Sequence, residues 1–263
     1  MDESAPEILI ERSQSYARII FNRPHVRNAI STAMWRELPR LIRRLQSERT
    51  MRCLVLSGAG GKAFAAGADL GELSQFTEAR AAREYETLVV RALDSLSRCP
   101  VPVIAMLRGH VIGGGCHLAL ACDLRVAGES AQLGIPAAKL GAAVSPGVVG
   151  RLVALVGPAV AKEMLFSGQP LPARRALAVG LVNQVVPDDQ LEPVTLALVH
   201  EIAAAAPLTA RYAKQAVGWF ATQALGRPPR DIQQHFVRGF SSRDFKEGLA
   251  AFLTRRPPKF VGR

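Results

Sequence analysis

The stretch 110-HVIGGGCHLALACD-123 decides how the chain is read: three glycines follow a short β-branched run and open into an apolar segment, with His117 where coiling has begun. A nucleotide-binding P-loop needs G-x-x-x-x-G-K-[ST], and Gly113 to Gly115 are followed by Cys-His-Leu, without the lysine or hydroxyl. The dinucleotide fingerprint fails as well, because the G-x-G-x-x-G spacing and a ribose-binding acid are absent. What remains is simpler. Glycines let another molecule approach the main chain, and the first amides of a helix point outward, unpartnered, at its positive end. Such amides hold an oxyanion. A second segment of small residues, 62-KAFAAGADLGEL-73, ends in Asp69, a helix cap for the turn beginning at Leu70. One amide donor from each bend makes an oxyanion hole.

Outward from these bends, short β-branched runs at EILIE, ARIIFN, RCLVLSG and VPVIAMLRG alternate with helical patterns, which is an α/β arrangement. Ser31 or Thr32 caps a helix over Ser31 to Ser47, with Met34, Trp35, Leu38, Leu41, Ile42 and Leu45 at helical spacing and Pro39 expected to kink it. Thr77 to Arg98 reads as a second long helix, ended by Pro100 and Pro102. DLRVAGESAQLGIP supplies further strand, as does Gly180 to Val186. Beyond Asp188 the pattern is almost wholly helical, with a turn at Gly226 to Pro229.

The 263 residues are 49% hydrophobic, enough for a substantial core. No run of eighteen apolar residues occurs, and the acidic, polar start MDESAPEILIERS does not resemble an export signal, so a soluble cytoplasmic protein is expected. Cys53, Cys99, Cys116 and Cys122 form no C-x-x-C pair and no zinc spacing, which reads as reduced, buried thiols and no metal site. The net charge of +11, with arginines concentrated at RELPRLIRRLQSERTMR, favours polyanions: nucleic acid, an acidic lipid surface or a phosphorylated cofactor. No aromatic-rich RNA-binding signature accompanies it.

Taken together, FNRPHVRNAIS, AFAAGADLGEL, GGGCHLALACDLRVA, LVGPAVAKEMLFSGQPLPARRALAVGLVNQVVP and FKEGLAAFLTRRPPKF make the chain resemble the enoyl-CoA hydratase/isomerase, or crotonase, superfamily over nearly its whole length. The resemblance implies a crotonase-like (ClpP/crotonase) α/β spiral of ββα units over residues 1–195. A helical C-terminal region, 196–263, follows and serves trimerisation and CoA contacts. It implies an acyl-CoA thioester as substrate, coenzyme A entering as part of it with no permanently bound cofactor, and a homotrimer or hexamer. Membrane and nucleic-acid partners are not expected.

By the same resemblance the oxyanion amides fall on Ala68 and Gly114. CoA contacts fall on His25, Val26 and Arg27 at the adenine end, on Ala66, and on Phe236, Phe252 and Arg255 in the tail. For the two phenylalanines ordinary helix packing is an equal alternative. The chemistry of the family places negative charge on the thioester oxygen, which the two amides stabilise.

Hydratases of the family carry two glutamates, and this chain departs from that pattern at both. The first aligns with His117, and the second with Ala137, flanked by Pro136 and Ala138. Ordinary hydration is therefore not expected, whereas isomerase, decarboxylase or thioesterase chemistry asks for less. His117, near a helix N-terminus, should be neutral and able to act as a base. Ser145 falls in a loop where some relatives hold a reaction-specific residue, and as a residue before proline it equally suits a turn. Asp69 and Asp123 are expected to be structural, and Glu72 and Glu84 are left undecided. The alternatives are a non-catalytic acyl-CoA-binding member and an RNA-binding one.

Overall fold

The computed structural model describes residues 5–74, 79–222 and 242–263. Its elements in chain order are β1 (Ile8–Arg12), β2 (Tyr16–Phe21), α1 (Thr32–Gln46), β3 (Cys53–Gly58), β4 (Ala63–Ala65), α2 (Leu70–Leu73) and α3 (Ala79–Ser97). Then come β5 (Val103–Leu107), β6 (His110–Ile112), α4 (Gly114–Ala121), β7 (Leu124–Gly128), β8 (Gln132–Gly134), α5 (Pro146–Ser167), β9 (Leu171–Pro172), α6 (Ala173–Ala178) and β10 (Gln184–Val186). The tail holds α7 (Leu191–Ala204), α8 (Pro207–Thr222) and α9 (Arg243–Leu253).

The strands form two sheets, one of six strands in the order β1-β2-β3-β5-β7-β10 and one of four in the order β4-β6-β8-β9. The pattern is a spiral. Each turn adds a long strand to the first sheet (β3, β5, β7) and a short one to the second (β4, β6, β8), the neighbours within each set running parallel. Among the described strands the antiparallel pairs are β1 with β2 and β8 with β9, and an isolated antiparallel bridge joins Ala63 to Gly109. β3 and β5 are apolar along nearly their whole length because both faces of a parallel sheet are covered.

One core cluster joins α1, α3 and α4 through Trp35, Leu38, Ile42, Leu93, Leu96, Cys116 and Leu120. A smaller cluster of Cys53, Val55, Ile104 and Val126 packs under α7 through Leu191 and Val199. α8 is fastened by Lys214, whose ammonium donates to the Asp123 carboxylate at 2.6 Å and to the carbonyls of Leu96 and Val101. Asp123 also accepts from Val103 N–H at 2.7 Å, so it is the structural anchor the sequence suggested. Among the described residues no single helix is long and apolar enough to cross a membrane.

Three sequence expectations change. α1 runs unbroken through Pro39, whereas the break falls in α5 at Gly157, whose φ of 73° and ψ of 170° precede Pro158. Proline removes one internal donor, but a helix gripped along a buried face tolerates the loss. Gly180 to Asn183 are not strand: only Gln184–Val186 pair with β7. The strands β4 and β6 lie inside the segments read as loop, because three residues are too few to show alternation. The turn expected at Gly226 to Pro229 lies outside the described residues.

Candidate active site

α4 starts where the second sheet ends. Gly113, its N-cap, has φ 49° and ψ −114°, a conformation closed to residues with a Cβ, and its N–H donates to Gly134 O at 2.8 Å. At Gly115 a Cβ would overlap the Ala65 carbonyl, so the helix seats directly on β4. The glycine run is therefore required for the docking of α4 as well as for its open first turn.

Opposite lies the bend Ala66 to Asp69. Ile30 pairs with Ala68 as an isolated parallel bridge, Ile30 N–H donating to Gly67 O at 2.8 Å and Asp69 N–H to Ile30 O at 3.1 Å. In such a bridge the central residue turns its own N–H and C=O to the other side, so Ala68 N–H faces away from Ile30. That side is where α4 begins: the Cβ position of Gly114 lies 3.6 Å from Ala68 N and from Gly67 C. Among the described residues no hydrogen bond is recorded for the N–H of Ala68 or of Gly114. The two bends that carry these open N–H groups thus lie side by side.

The bend is fixed by side chains. Asp69 caps α2 by accepting from Gly71 and Glu72 N–H, and it takes the Arg23 guanidinium at 2.9 Å. That hydrogen bond from Arg23 is the main reason its carboxyl is held below the ordinary range. Glu72 accepts from Thr32 N–H at 2.6 Å and Thr32 Oγ1 at 2.5 Å, so it closes the start of α1. Glu84 is exposed and paired with Arg80 one turn away. Glu72 and Glu84, left undecided from the sequence, are thus both engaged with neighbours, Glu84 only in an exposed pair.

His117 follows Gly114 by three residues, on the same face of α4, and helical side chains lean toward the N-terminus, over Gly114. The residue is partly exposed, yet its Nε2 is enclosed and has no hydrogen-bond partner among the described residues. Burial pushes the imidazole down to about 4, so it is neutral at physiological pH. The direction agrees with the sequence reading, but burial causes it rather than the helix end. Cys116, beside it, is no nucleophile: burial pushes its thiol up to about 12.

Ala137 sits in the 3-10 turn Pro136–Leu140, where its carbonyl accepts from Ala142 N–H at 3.0 Å, and nothing in that turn but Lys139 titrates. Ser145 is the N-cap of α5 before Pro146, and its hydroxyl makes no cap bond. His25 and Val26 lie on the exposed 3-10 turn Pro24–Val26, closed by Arg27 at φ 54°. That turn is tied to the bend because Ala66 N–H donates to Arg27 O at 3.0 Å. Arg255 is exposed in the tail. Phe236 and the side chain of Phe252 lie outside the described residues.

A concavity of about 890 Å³ between α9 and the C-terminal segment, lined by Arg243, Glu247, Arg256 and Lys259, shares no residue with these bends. The approach of the two bends, and not the size of a cavity, singles out the candidate site. Sequence reasoning missed one participant: Trp35, read as a core position, brings its ring against Gly114 and donates its Nε1–H to Tyr85 Oη at 3.0 Å. Its helical spacing carries no sign of this.

Residues 11–263 match the family profile described as Enoyl-CoA hydratase/isomerase. YngF of Bacillus subtilis (strain 168), whose name carries the same family description, is 37% identical, covering 95% of this chain and 96% of its own. A crotonyl-CoA hydratase of Syntrophomonas wolfei is 32% identical, covering 97% and 98%. Among solved structures, an enoyl-CoA hydratase/carnithine racemase from Magnetospirillum magneticum superposes with a TM-score of 0.94 at 34% identity, covering 99% of this chain and 97% of that one. Profile, relatives and spiral agree from end to end, so the chain belongs to the enoyl-CoA hydratase/isomerase family.

Proposed function

We propose that the protein moves a double bond within an enoyl-CoA thioester, the Ala68 and Gly114 N–H groups holding the enolate oxygen and His117 shuttling the proton. The observation that carries this reading is the pair of open amides with His117 one helical turn beyond. His117 takes a proton from the acyl carbon chain, the electrons spread onto the thioester oxygen between the amides, and the same imidazole returns the proton two carbons away. Atoms and charge balance with no second acid. Water addition needs one group to activate water and another to deliver a proton, and Ala137 provides neither. With burial holding its conjugate acid to about 4, the imidazole has roughly the basicity of a carboxylate.

In the same reading His25, Val26 and Arg27 hold the adenine end, and Ala66 makes a further CoA contact. Arg255, Phe236 and Phe252 approach from the tail, for which a trimer or hexamer supplies the neighbouring subunit. The test is a mass-spectrometric screen of mixed enoyl-, hydroxyacyl- and malonyl-type CoA thioesters in deuterated water. Deuterium uptake with a shifted double bond is expected. Addition of water, loss of carbon dioxide or release of free CoA as the main product overturns the isomerase assignment, and retention without any change indicates a binding protein.

A second reading rests on a separate face. Arg36, Arg40 and Arg43 of α1, Arg91 of α3 and Arg98 just beyond it line a groove of about 640 Å³ whose one carboxylate, Asp94, is paired with Arg151 at 2.8 Å and with Arg98 at 3.5 Å. Guanidinium forks on both walls suit phosphates, and the net charge of +11 adds to the attraction. RNA held there dissociates as salt rises and stays bound under saturating CoA. Filter retention that does not depend on salt, or that CoA abolishes, excludes it.

A further inference from the structure

We propose that Trp35 is a positioning residue for the amide pair and that Tyr85 is the catch holding its ring, an inference that rests on the roles given above to Ala68 and Gly114. The indole is 1% exposed and lies where α1, α3 and α4 converge. Its Cζ2 stands 3.0 Å from where a Cβ on Gly114 would be, so the ring fills the space a side chain there would need, and Ala68 N and Gly67 C lie 3.6 Å from that same point. Ring, helix start and bend therefore crowd one spot. A small rotation of the ring changes the seat of Gly114, and with it the distance between the two donors.

What prevents that rotation is polar. Nε1–H donates to Tyr85 Oη at 3.0 Å, across from α1 to α3. Burial is the main cause that pushes the Tyr85 hydroxyl up to about 12, with smaller contributions from the Glu72 and Asp69 carboxylates, so the phenol stays neutral beside the bend. A plain core filler at position 35 needs no polar partner, and leucine or phenylalanine occupies such a place without burying an N–H. The indole brings shape and one directional bond, and that bond fixes the ring about its own axis. Misplacement of catalytic groups by about 1 Å can cost on the order of a hundredfold in rate.

Tyr85→Phe is the decisive variant, because it keeps the aromatic volume and removes the hydroxyl that accepts from the indole. In protein labelled with 15N-glycine and 15N-alanine, the Gly114 and Ala68 amide signals of the ligand-free variant are expected to move, since the indole ring current reaches both. Gly141 and Gly150, which have open space beside them, serve as controls. Turnover is expected to fall about tenfold in kcat, with KM within about twofold, and Trp35→Phe with Tyr85→Phe is expected to be no worse than Trp35→Phe alone. Unmoved amide signals in Tyr85→Phe overturn the proposal, as does a lowered melting temperature with kcat per folded molecule intact. If the wild type changes no thioester, the functional reading fails separately, and the amide signals still decide whether Trp35 sets their positions.

Discussion

Ala68→Pro is expected to lower kcat by roughly a hundred- to a thousandfold while leaving the fold intact. The expectation follows from the bridge with Ile30. Its hydrogen bonds run through Gly67 O and Asp69 N, so Ala68 N–H is not among them, and proline there removes no internal bond. In the proposed mechanism what it removes is one of the two donors to a developing oxyanion, a loss that in other enzymes costs about 2.7–4 kcal/mol of barrier. Ground-state binding of an acyl-CoA, followed by isothermal titration calorimetry, should weaken only several-fold, because charge on the thioester oxygen is small before reaction. Unchanged kcat in a folded Ala68→Pro protein would remove the amide pair from the mechanism.

The second large effect belongs to His117. His117→Ala should cost about a hundred- to ten-thousandfold in kcat, the range for general acid–base groups, with CoA-thioester affinity retained. The neutral imidazole is the working form. Because burial holds its folded-state value near 4, the acid limb of the rate profile should lie around pH 4 and not near the ordinary histidine value.

The same shift ties stability to pH. The unfolded chain binds the proton first on acidification, so stability is unaffected above about pH 6.5 and falls as pH drops from there through 4. Urea midpoints measured between pH 7 and pH 4 should show this slope, amounting to at most about 3 kcal/mol, and His117→Gln should flatten it. A rate limb near pH 6.5, or a His117→Ala enzyme with wild-type kcat, excludes the assigned base.

Much of the architecture was legible because local chemistry dictates it. Ser31 announces α1 and accepts Met34 N–H as a cap, Asp69 does the same for α2, and the β-branched runs Cys53–Gly58 and Val103–Leu107 can only be buried strands. The helix after Gly113 and the open amides at its start follow from three glycines in a row. The Lys214 to Asp123 pair was not legible, since 91 residues separate its partners and neither position is unusual in its own segment.

The sequence by itself determined which groups are present: small residues at two bends, a histidine at 117 and an alanine at 137. Those are covalent facts, and they bound the chemistry before any folding. Only the tertiary structure decided what those groups are like. The histidine near 4, the acids committed to Arg23 and Thr32, and the indole pressed on Gly114 each depend on neighbours distant in the chain. Solvation and orientation are properties of surroundings, and surroundings arise only when the spiral closes.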